Sequence, residues 1–131
     1  YHRRSDIHAK YGGQEQGGIS TPRNYLYIFL FSSDSGGQHG YQDGWLDADH
    51  RVFRYSGAGQ RGDMQMLRGN VAIRDHSENG KELHLFEKVS NGRYRYASEM
   101  EYVKHDLEER VVDTDGHTRA AIVFTLRRID N

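Results

Sequence analysis

The chain contains no cysteine and a single proline among its 131 residues. Without thiols it can form neither a disulfide framework nor a thiolate zinc site. The longest unbroken apolar run, residues 25–31, is too short to span a bilayer. The net charge is only −1, which is not typical of proteins that bind nucleic acid nonspecifically. These absences leave a small globular protein, and we expect a cytoplasmic location and no membrane partner.

The length of the chain suits one domain with an ordinary hydrophobic core. The first residue is Tyr1 rather than methionine. We therefore expect residues 1–131 to form a single domain excised from a longer protein, whose other segments carry further activities.

Charge is distributed unevenly along the chain. Residues 51–81 carry six basic and three acidic side chains, whereas residues 99–115 carry seven acids and two bases. This division predicts one positive face on a neutral domain, and an evenly mixed solvated surface is the alternative.

Hydrophobic patterning predicts a small α+β domain, mostly strand, folded as a curved sheet or barrel with one or two helices. Helices are expected at residues 5–10, capped by Ser5, and at 70–78, with a single helical turn at 63–67. Asn70 is expected to act as an N-cap at a backbone break. Strands are expected at 25–31, 52–56, 81–89, 93–103 and 118–129, and the charged segment 108–117 is expected to be a loop.

The most informative segment holds two tyrosines, an acid and a glycine-rich turn within a short stretch of sequence. Tyr41 and Asp43 precede Trp45, and Tyr55 follows after one short apolar strand. Two aromatic faces can sandwich a flat polar ring, while an acid accepts a hydrogen bond from its edge amine. Bare glycine backbone can approach such a ring where side chains would collide. A nucleobase turned out of a duplex is a ring of this kind.

The order of these residues resembles an SRA domain, also called a YDG domain. It is most similar to the SRA-like modules of bacterial modification-dependent restriction enzymes that carry an HNH nuclease elsewhere in the chain. The segments that carry the resemblance are residues 41–44, 55–64 and 69–73, supported by 11–19 and 83–86. The resemblance extends over roughly residues 4–128.

This resemblance implies a PUA-like β-barrel that flips a modified cytosine, above all 5-methylcytosine, out of double-stranded DNA. Tyr41 and Tyr55 would stack on the two faces of the base, and Asp43 would accept from the cytosine N4 amine. In eukaryotic members the acid lies three residues after the first tyrosine, where this chain has Gly44. The remaining residues that would line the pocket are Ser56, Gly57, Ala58 and Trp45.

The resemblance also implies a noncatalytic reader that targets a covalently linked nuclease domain and needs no cofactor. Phosphate contacts would come from arginines, and a side chain from the glycine-rich turn would fill the gap left in the duplex. The candidates for these contacts are Arg51, Arg54, Arg68, Arg74, Gln60 and Arg61.

Simpler interpretations remain open for each of these residues. Tyr41 and Tyr55 can be core aromatics, Asp43 and Gly44 a turn, and Trp45 hydrophobic packing. The eight histidines lie at no spacing typical of a metal site, so none is predicted. Two other function classes compete with the reader: a metal-dependent hydrolase or nuclease using Asp43, Asp63 and nearby histidines, and an interaction module that binds no nucleic acid.

Overall fold

The computed structural model of this chain describes residues 1–15, 17–32, 43–58, 63–112, 116 and 118–129. A π-helical segment, Arg3–His8, continues directly into the short helix α1, Ala9–Tyr11, and a second helix, α2, spans Gly69–Arg74. The strands are β1 (Ile19–Ser20), β2 (Tyr27–Ser32), β3 (Gly44–Trp45), β4 (Val52–Ser56), β5 (Glu82–Ser90), β6 (Arg93–Val112) and β7 (Thr118–Arg128).

All seven strands belong to one mixed sheet in the order β1-β2-β5-β6-β7-β4-β3. Only β2 and β5 pair in parallel among these neighbours, and the other pairs are antiparallel. The predicted α+β class is confirmed. The described part of the sheet is open, because its two edge strands β1 and β3 do not pair with each other.

Strand β2 separates two apolar clusters because its successive side chains point to opposite faces of the sheet. Ile28 and Leu30 belong to the main core, whereas Phe29 and Phe31 belong to a second cluster under the N-terminal helical segment. The main core also holds Phe53 and the side chains of β5 and β7. Strand β2 is therefore buried on both faces, as its continuous apolar run predicts.

The predicted boundaries hold for some elements and are wrong for others. Strand β4 begins and ends where the alternation predicts. Residues 63–67 form no helix, and the first helical segment is capped by the His2 side chain rather than by Ser5. Helix α2 ends at Arg74, and Asn70 lies inside it, so the N-cap prediction is wrong.

The segment 108–112 is strand rather than loop. Strand β6 runs on through these charged residues because β7 pairs with it as far as Val112 opposite Thr118. The backbone groups are thus satisfied by the ladder, while the charged side chain of Glu108 remains exposed to solvent.

A bulge in β6 divides its side chains between the two clusters. Leu85 pairs with Ser98 and the next residue, Phe86, pairs with Tyr96, so Ala97 is the extra residue. Tyr94 consequently packs on the second cluster, whereas Met100 lies in the main core. A strict period of two, which would place Tyr94 to Tyr102 on one face, therefore does not hold along β6.

Candidate functional site

Asp43 lies directly before β3 and beside the end of β4. The β3–β4 ladder places Gly44 opposite Arg54, which brings the Asp43 carboxylate to the last residue of β4. Its Oδ1 accepts from the Ser56 backbone N–H at 2.7 Å, and its Oδ2 accepts from the Ser32 hydroxyl at 3.2 Å. These partners are 11 and 13 residues away, so the side chain joins two strands rather than closing a local turn.

The electrostatics of Asp43 are set by its burial. Burial raises the pKa of its carboxyl. Hydrogen bonds from Ser56 and Ser32 and the charge of Arg54 lower the pKa, but by a smaller amount, so the net shift is upward. An ionised carboxylate offers about four acceptor positions. Among the described residues, the Ser56 N–H and the Ser32 hydroxyl use two of these positions, and those that remain suit an additional N–H group.

Tyr55 lies in the main core, where its side chain is 2% exposed. Its hydroxyl donates to the backbone oxygen of Gly18 at 2.8 Å and approaches that of Phe31 at 3.2 Å. A Cβ added at Gly18 would lie 2.6 Å from this hydroxyl, so the close approach needs glycine there. The structure therefore gives Tyr55 a packing position, and its role in stacking on a base stays a prediction.

The Ser56–Ala58 segment, which follows Tyr55, is held by a side chain that the sequence did not assign to the site. Asn70 is 1% exposed; its Oδ1 accepts from Ala58 N–H at 2.7 Å, and its Nδ2 donates to Ala58 O and Gln65 O at 3.1 and 2.9 Å. Gly57 donates its N–H to Ile122 O at 2.8 Å.

Gly57 is required by this arrangement because there is no room for a larger residue. A Cβ at position 57 would lie 2.7 Å from Asn70 Oδ1 and 3.2 Å from Ile122 O. The Ser56 hydroxyl beside it is buried and lies next to the Asp43 carboxylate. The segment thus presents rigid backbone next to one buried hydroxyl.

The sequence marks Asn70 only through its place in the segment 69–73, which resembles the SRA family. Its amide side chain is suited to bridging backbone donors and acceptors. Its partners lie 5 and 12 residues away, and only the folded chain identifies them.

Trp45 contacts side chains from the turn after β3, from β4 and from β5. Its ring stacks on His50 at 4.9 Å and meets Phe53 edge-on at 5.0 Å, and its indole N–H donates to Glu87 Oε1 at 3.0 Å. These contacts fix the short strand β3, and with it the position of Asp43.

The arginines predicted to bind phosphates differ in their exposure and in their ion-pair partners. Arg54 forms an ion pair with Glu108, and Arg74 forms one with its neighbour Asp75. Arg51 and Arg68 are exposed, and Arg68 adopts a left-handed backbone with φ of 48° at the start of α2. Arg54 lies opposite Gly44, the neighbour of Asp43, and Arg51 directly precedes β4, whereas Arg74 is the last residue of α2.

Three further predicted site residues, Tyr41, Gln60 and Arg61, lie outside the described residues. In the part of the chain that the structure describes, no three carboxylate or imidazole side chains come together in a way that could hold a metal ion. Asp63, proposed for a hydrolase, accepts the Ala120 N–H at 2.7 Å and so joins its segment to β7. None of the described helices has the length and apolar character that a membrane span requires.

Comparisons with known proteins agree with this architecture. The family model described as "ScoMcrA-like, SRA domain" matches residues 1–131. No curated protein sequence matches significantly.

Among solved structures, the sulfur binding domain and SRA domain of ScoMcrA with phosphorothioated DNA gives a TM-score of 0.78 at 24% identity, covering 100% of this chain. The SRA domain of SUVH5 with fully methylated CG DNA gives 0.69 at 20% identity, covering 100% of this chain and 86% of that one. The modification-dependent restriction endonuclease AspBHI gives 0.69 at 18% identity, covering 95% of this chain and 37% of that one. This chain spans 39% of the ScoMcrA chain in the first of these structures.

The family match over every residue, together with the fold shared with these structures, shows that the chain belongs to the ScoMcrA-like SRA domains.

Proposed function

We propose that this domain recognises a modified cytosine in double-stranded DNA by turning the base out of the helix and binding it beside Asp43. The domain itself performs no chemistry on the DNA. It directs a nuclease, of the HNH type, that is carried on another segment of a longer bacterial protein in the cytoplasm.

The observation that carries the proposal is the partly buried Asp43 carboxylate, whose partners among the described residues, Ser56 and Ser32, fill only part of its acceptor capacity. Ser56 and Ser32 hold it in one orientation, so it needs no reordering when a ligand arrives. The cytosine N4 amine is a donor that matches it. Thymine carries a carbonyl at the same position and would leave the carboxylate unpaired, which costs affinity.

The neighbouring Ser56–Ala58 segment supports a flat ligand. Asn70 holds this backbone in place, and glycine at position 57 allows Asn70 to approach it closely. The buried Ser56 hydroxyl beside Asp43 would supply a further polar group for the edge of a base or for its C5 substituent. The aromatic faces would come from Tyr41 and Tyr55, and because Tyr55 is only 2% exposed, its ring would have to be uncovered before a base could stack on it.

The expected energies are sufficient for base flipping. Extracting a base costs a few kcal/mol. Stacking returns about 1–3 kcal/mol per base, and a hydrogen bond to a charged group about 1.5–3 kcal/mol. A buried methyl group adds only about 0.8 kcal/mol, so methyl selectivity also needs a close fit around C5.

The proposal also specifies which modification of cytosine the domain recognises. ScoMcrA was solved with phosphorothioated DNA, and its structure contains a separate sulfur binding domain as well as an SRA domain. SUVH5 was solved with methylated CG DNA. We favour 5-methylcytosine for this chain because the polar groups around Asp43 match a base edge rather than a phosphate.

Contacts to phosphates would supply the rest of the affinity. Arg51 and Arg68 are exposed to solvent, and Arg54, which pairs with Glu108, would exchange that partner for a phosphate. Gln60 or Arg61 would fill the gap in the duplex. Because phosphate contacts release counterions, binding to any duplex should weaken as salt increases.

The experiment is a titration of the 131-residue chain against otherwise identical duplexes. They contain cytosine, 5-methylcytosine, 5-hydroxymethylcytosine or one phosphorothioate linkage, each at two salt concentrations. We expect the methylated duplex to bind most tightly, with a preference that is less salt-sensitive than the binding common to all duplexes. A 2-aminopurine placed next to the target base should brighten on binding, because its neighbour has left the stack.

Several results would contradict the proposal. Preference for the phosphorothioate duplex alone would assign recognition to the backbone. Equal affinity for all duplexes without a change in 2-aminopurine fluorescence would exclude base flipping. Strand cleavage by this chain with a divalent metal would favour the hydrolase alternative, and no binding at low salt would favour an interaction module.

A further inference from the structure

The β5–β6 hairpin, residues 88–95, lies at the same end of the sheet as the Asp43 carboxylate. Ser32, which donates to Asp43, is the last residue of β2 and pairs with Glu87 in the parallel β2–β5 ladder. Glu87 also accepts the Trp45 indole N–H at 3.0 Å, which ties β5 to the strand that follows Asp43. Strands lie about 4.8 Å apart and rise about 3.3 Å per residue, so the hairpin backbone lies within roughly 15 Å of Ser32.

The hairpin is joined to the N-terminal segment, residues 1–15, and the two together are positively charged. The backbone N–H of Arg3 donates to Gly92 O at 2.8 Å. Residues 1–15 and 87–95 carry six basic and three acidic side chains, whereas the whole chain has a net charge of −1. The end of the sheet beside Asp43 is therefore a positive surface on a nearly neutral domain.

Two of these basic side chains have no acidic partner in the part of the chain that the structure describes. The acids Glu15 and Glu87 each pair with an arginine of the same surface. Among the described carboxylates, none lies within ion-pair distance of Lys88 or Arg93. These two charges are therefore available to an anion from outside the chain, whereas Arg54 already pairs with an acid.

A third positive charge is held in a recess of about 400 Å³ between the hairpin and the N-terminal segment. The Arg3 guanidinium carbon lies 3.9 Å from the centre of the Phe31 ring, and its Nε donates to His8 Nε2 at 2.9 Å. One of its Nη atoms donates to Gln14 O at 3.1 Å. Burial lowers the pKa of Arg3, but an arginine in a protein stays charged. The recess, whose lining includes Lys88, thus contains an oriented and permanently positive group.

The cations of this surface are spread over the end of the sheet instead of converging on one point. Lys88 pairs with Tyr94, so their side chains share a face, and the side chain of Arg93, the preceding residue, points to the other face. Arg3 lies with Lys88 in the recess. A small free anion needs donors that converge on it, whereas separated charges match an extended polyanion such as DNA.

We propose that the β5–β6 hairpin and the N-terminal segment bind the sugar–phosphate backbone of the duplex, within a few nucleotides of the flipped cytosine. The inference rests on the function proposed above, which places the duplex beside Asp43. Phosphates follow one another about every 3.4 Å along each strand of a duplex, so a surface within roughly 15 Å of the base site reaches several of them. Lys88 and Arg93 each neutralise one phosphate, and Arg3 donates to a third through its planar guanidinium.

The first test removes one positive charge at either end of β5 and measures fluorescence anisotropy with methylated and plain duplexes over a range of salt concentrations. Lys88→Gln should weaken binding of both duplexes by the same factor, roughly three- to fivefold at about 0.1 M salt, and lower the slope of log Kd against log salt concentration by about one. Arg93→Gln should have the same effect. Lys81→Gln is the matched control and should change binding little, because Lys81 directly precedes β5 and lies about 23 Å from Lys88 along the strand.

The outcomes separate this proposal from base recognition. Equal losses in Lys88→Gln and Lys81→Gln would show that only net charge matters and would overturn the proposal, as would unchanged binding by both hairpin variants. Arg93 is exposed, so Arg93→Gln keeps the test valid if Lys88→Gln does not fold. If the unmodified chain binds methylated and plain duplexes equally, base recognition fails, and the hairpin variants are still measured on the plain duplex. Binding to no duplex at low salt would overturn both.

The second test locates the hairpin on the DNA and uses the absence of cysteine from the chain. Val89→Cys places one thiol in the hairpin at a side chain that is 65% exposed, and Ser77→Cys places one in the exposed turn after α2 as the control. An iron–EDTA chelate attached to the thiol cuts nearby DNA backbone through hydroxyl radicals. We expect cuts from position 89 within about five nucleotides of the methylated cytosine, and several times fewer from position 77. Bound duplex that is cut equally from both positions, or not at all from position 89, would refute the proposal.

Discussion

The Asp43→Asn variant separates recognition from stability more sharply than any other single change. The amide keeps an oxygen for the Ser56 N–H and places its NH₂ group towards the Ser32 hydroxyl, so the local hydrogen bonds survive. What disappears is the charge. A charge-assisted hydrogen bond is roughly twice as strong as a neutral one, so the N4 amine of a bound cytosine should lose about 1–1.5 kcal/mol. This corresponds to a five- to tenfold weaker affinity for the methylated duplex.

The stability of the variant should change in the opposite direction. Because the folded pKa of Asp43 is raised above its usual 3.8, folding is favoured by this group below that value and less favoured as the pH rises through the raised pKa. A neutral amide removes this penalty. We expect Asp43→Asn to be at least as stable as the unmodified chain at pH 7 and to lose this part of the decline in stability above pH 3.8.

The assay is fluorescence anisotropy with methylated and unmethylated duplexes, combined with urea denaturation across pH. Asp47→Asn is the matched control. Its carboxylate accepts the backbone N–H groups of Arg51 and Val52 at 2.9 and 3.0 Å, and these bonds lower its pKa. That variant should lose stability and keep full preference for methylated DNA. The reasoning fails if Asp43→Asn keeps the preference unchanged, or if both variants lose it equally.

Three other substitutions test the packing that supports the site, each measured by urea denaturation. Gly57→Ala should destabilise the fold by about 1–3 kcal/mol because its methyl group would collide with Asn70, whereas Gly44→Ala, with nothing within 4 Å, should be nearly neutral. Asn70→Ala should cost about 2–3 kcal/mol and weaken methylated-duplex binding, since the Ser56–Ala58 segment loses its support; unchanged binding would remove Asn70 from the site. His76→Ala should cost a similar amount, because the buried ring bonds Lys81 O at 2.8 Å and the Tyr102 N–H at 3.1 Å; no loss would mean that water replaces the ring.

Strands with strong patterns were the easiest elements to predict. The apolar run before Ser32 and the alternation of residues 52–56 fix β2 and β4 because burial in a sheet demands those side chains. The charged end of β6 gave the opposite result. Its sequence is typical of a loop, and only pairing with β7 makes it a strand.

Some residues of the candidate site could likewise be predicted from the sequence, and others could not. Tyr41, Asp43 and Tyr55 stand out from the sequence because aromatic rings, an acid and glycines at this spacing resemble the SRA family. Asn70 does not, because its importance lies in contacts with Ala58 and Gln65 that form only after folding. The burial of Tyr55, with its hydroxyl bonded to Gly18 and Phe31, likewise depends on the approach of β1 and β2.

The sequence by itself determined the α+β class, the family and the identity of the acid beside the glycine-rich turn, because these depend on residue type and order. The tertiary structure decided which groups that acid meets, that Arg54 pairs with Glu108, and that aromatic side chains from β2, β5 and β6 form the second cluster. Those features depend on strand register and long-range packing. The hydrogen-bonded ladder of the sheet brings together residues that are far apart in sequence. A local sequence pattern does not show which of these distant residues will meet.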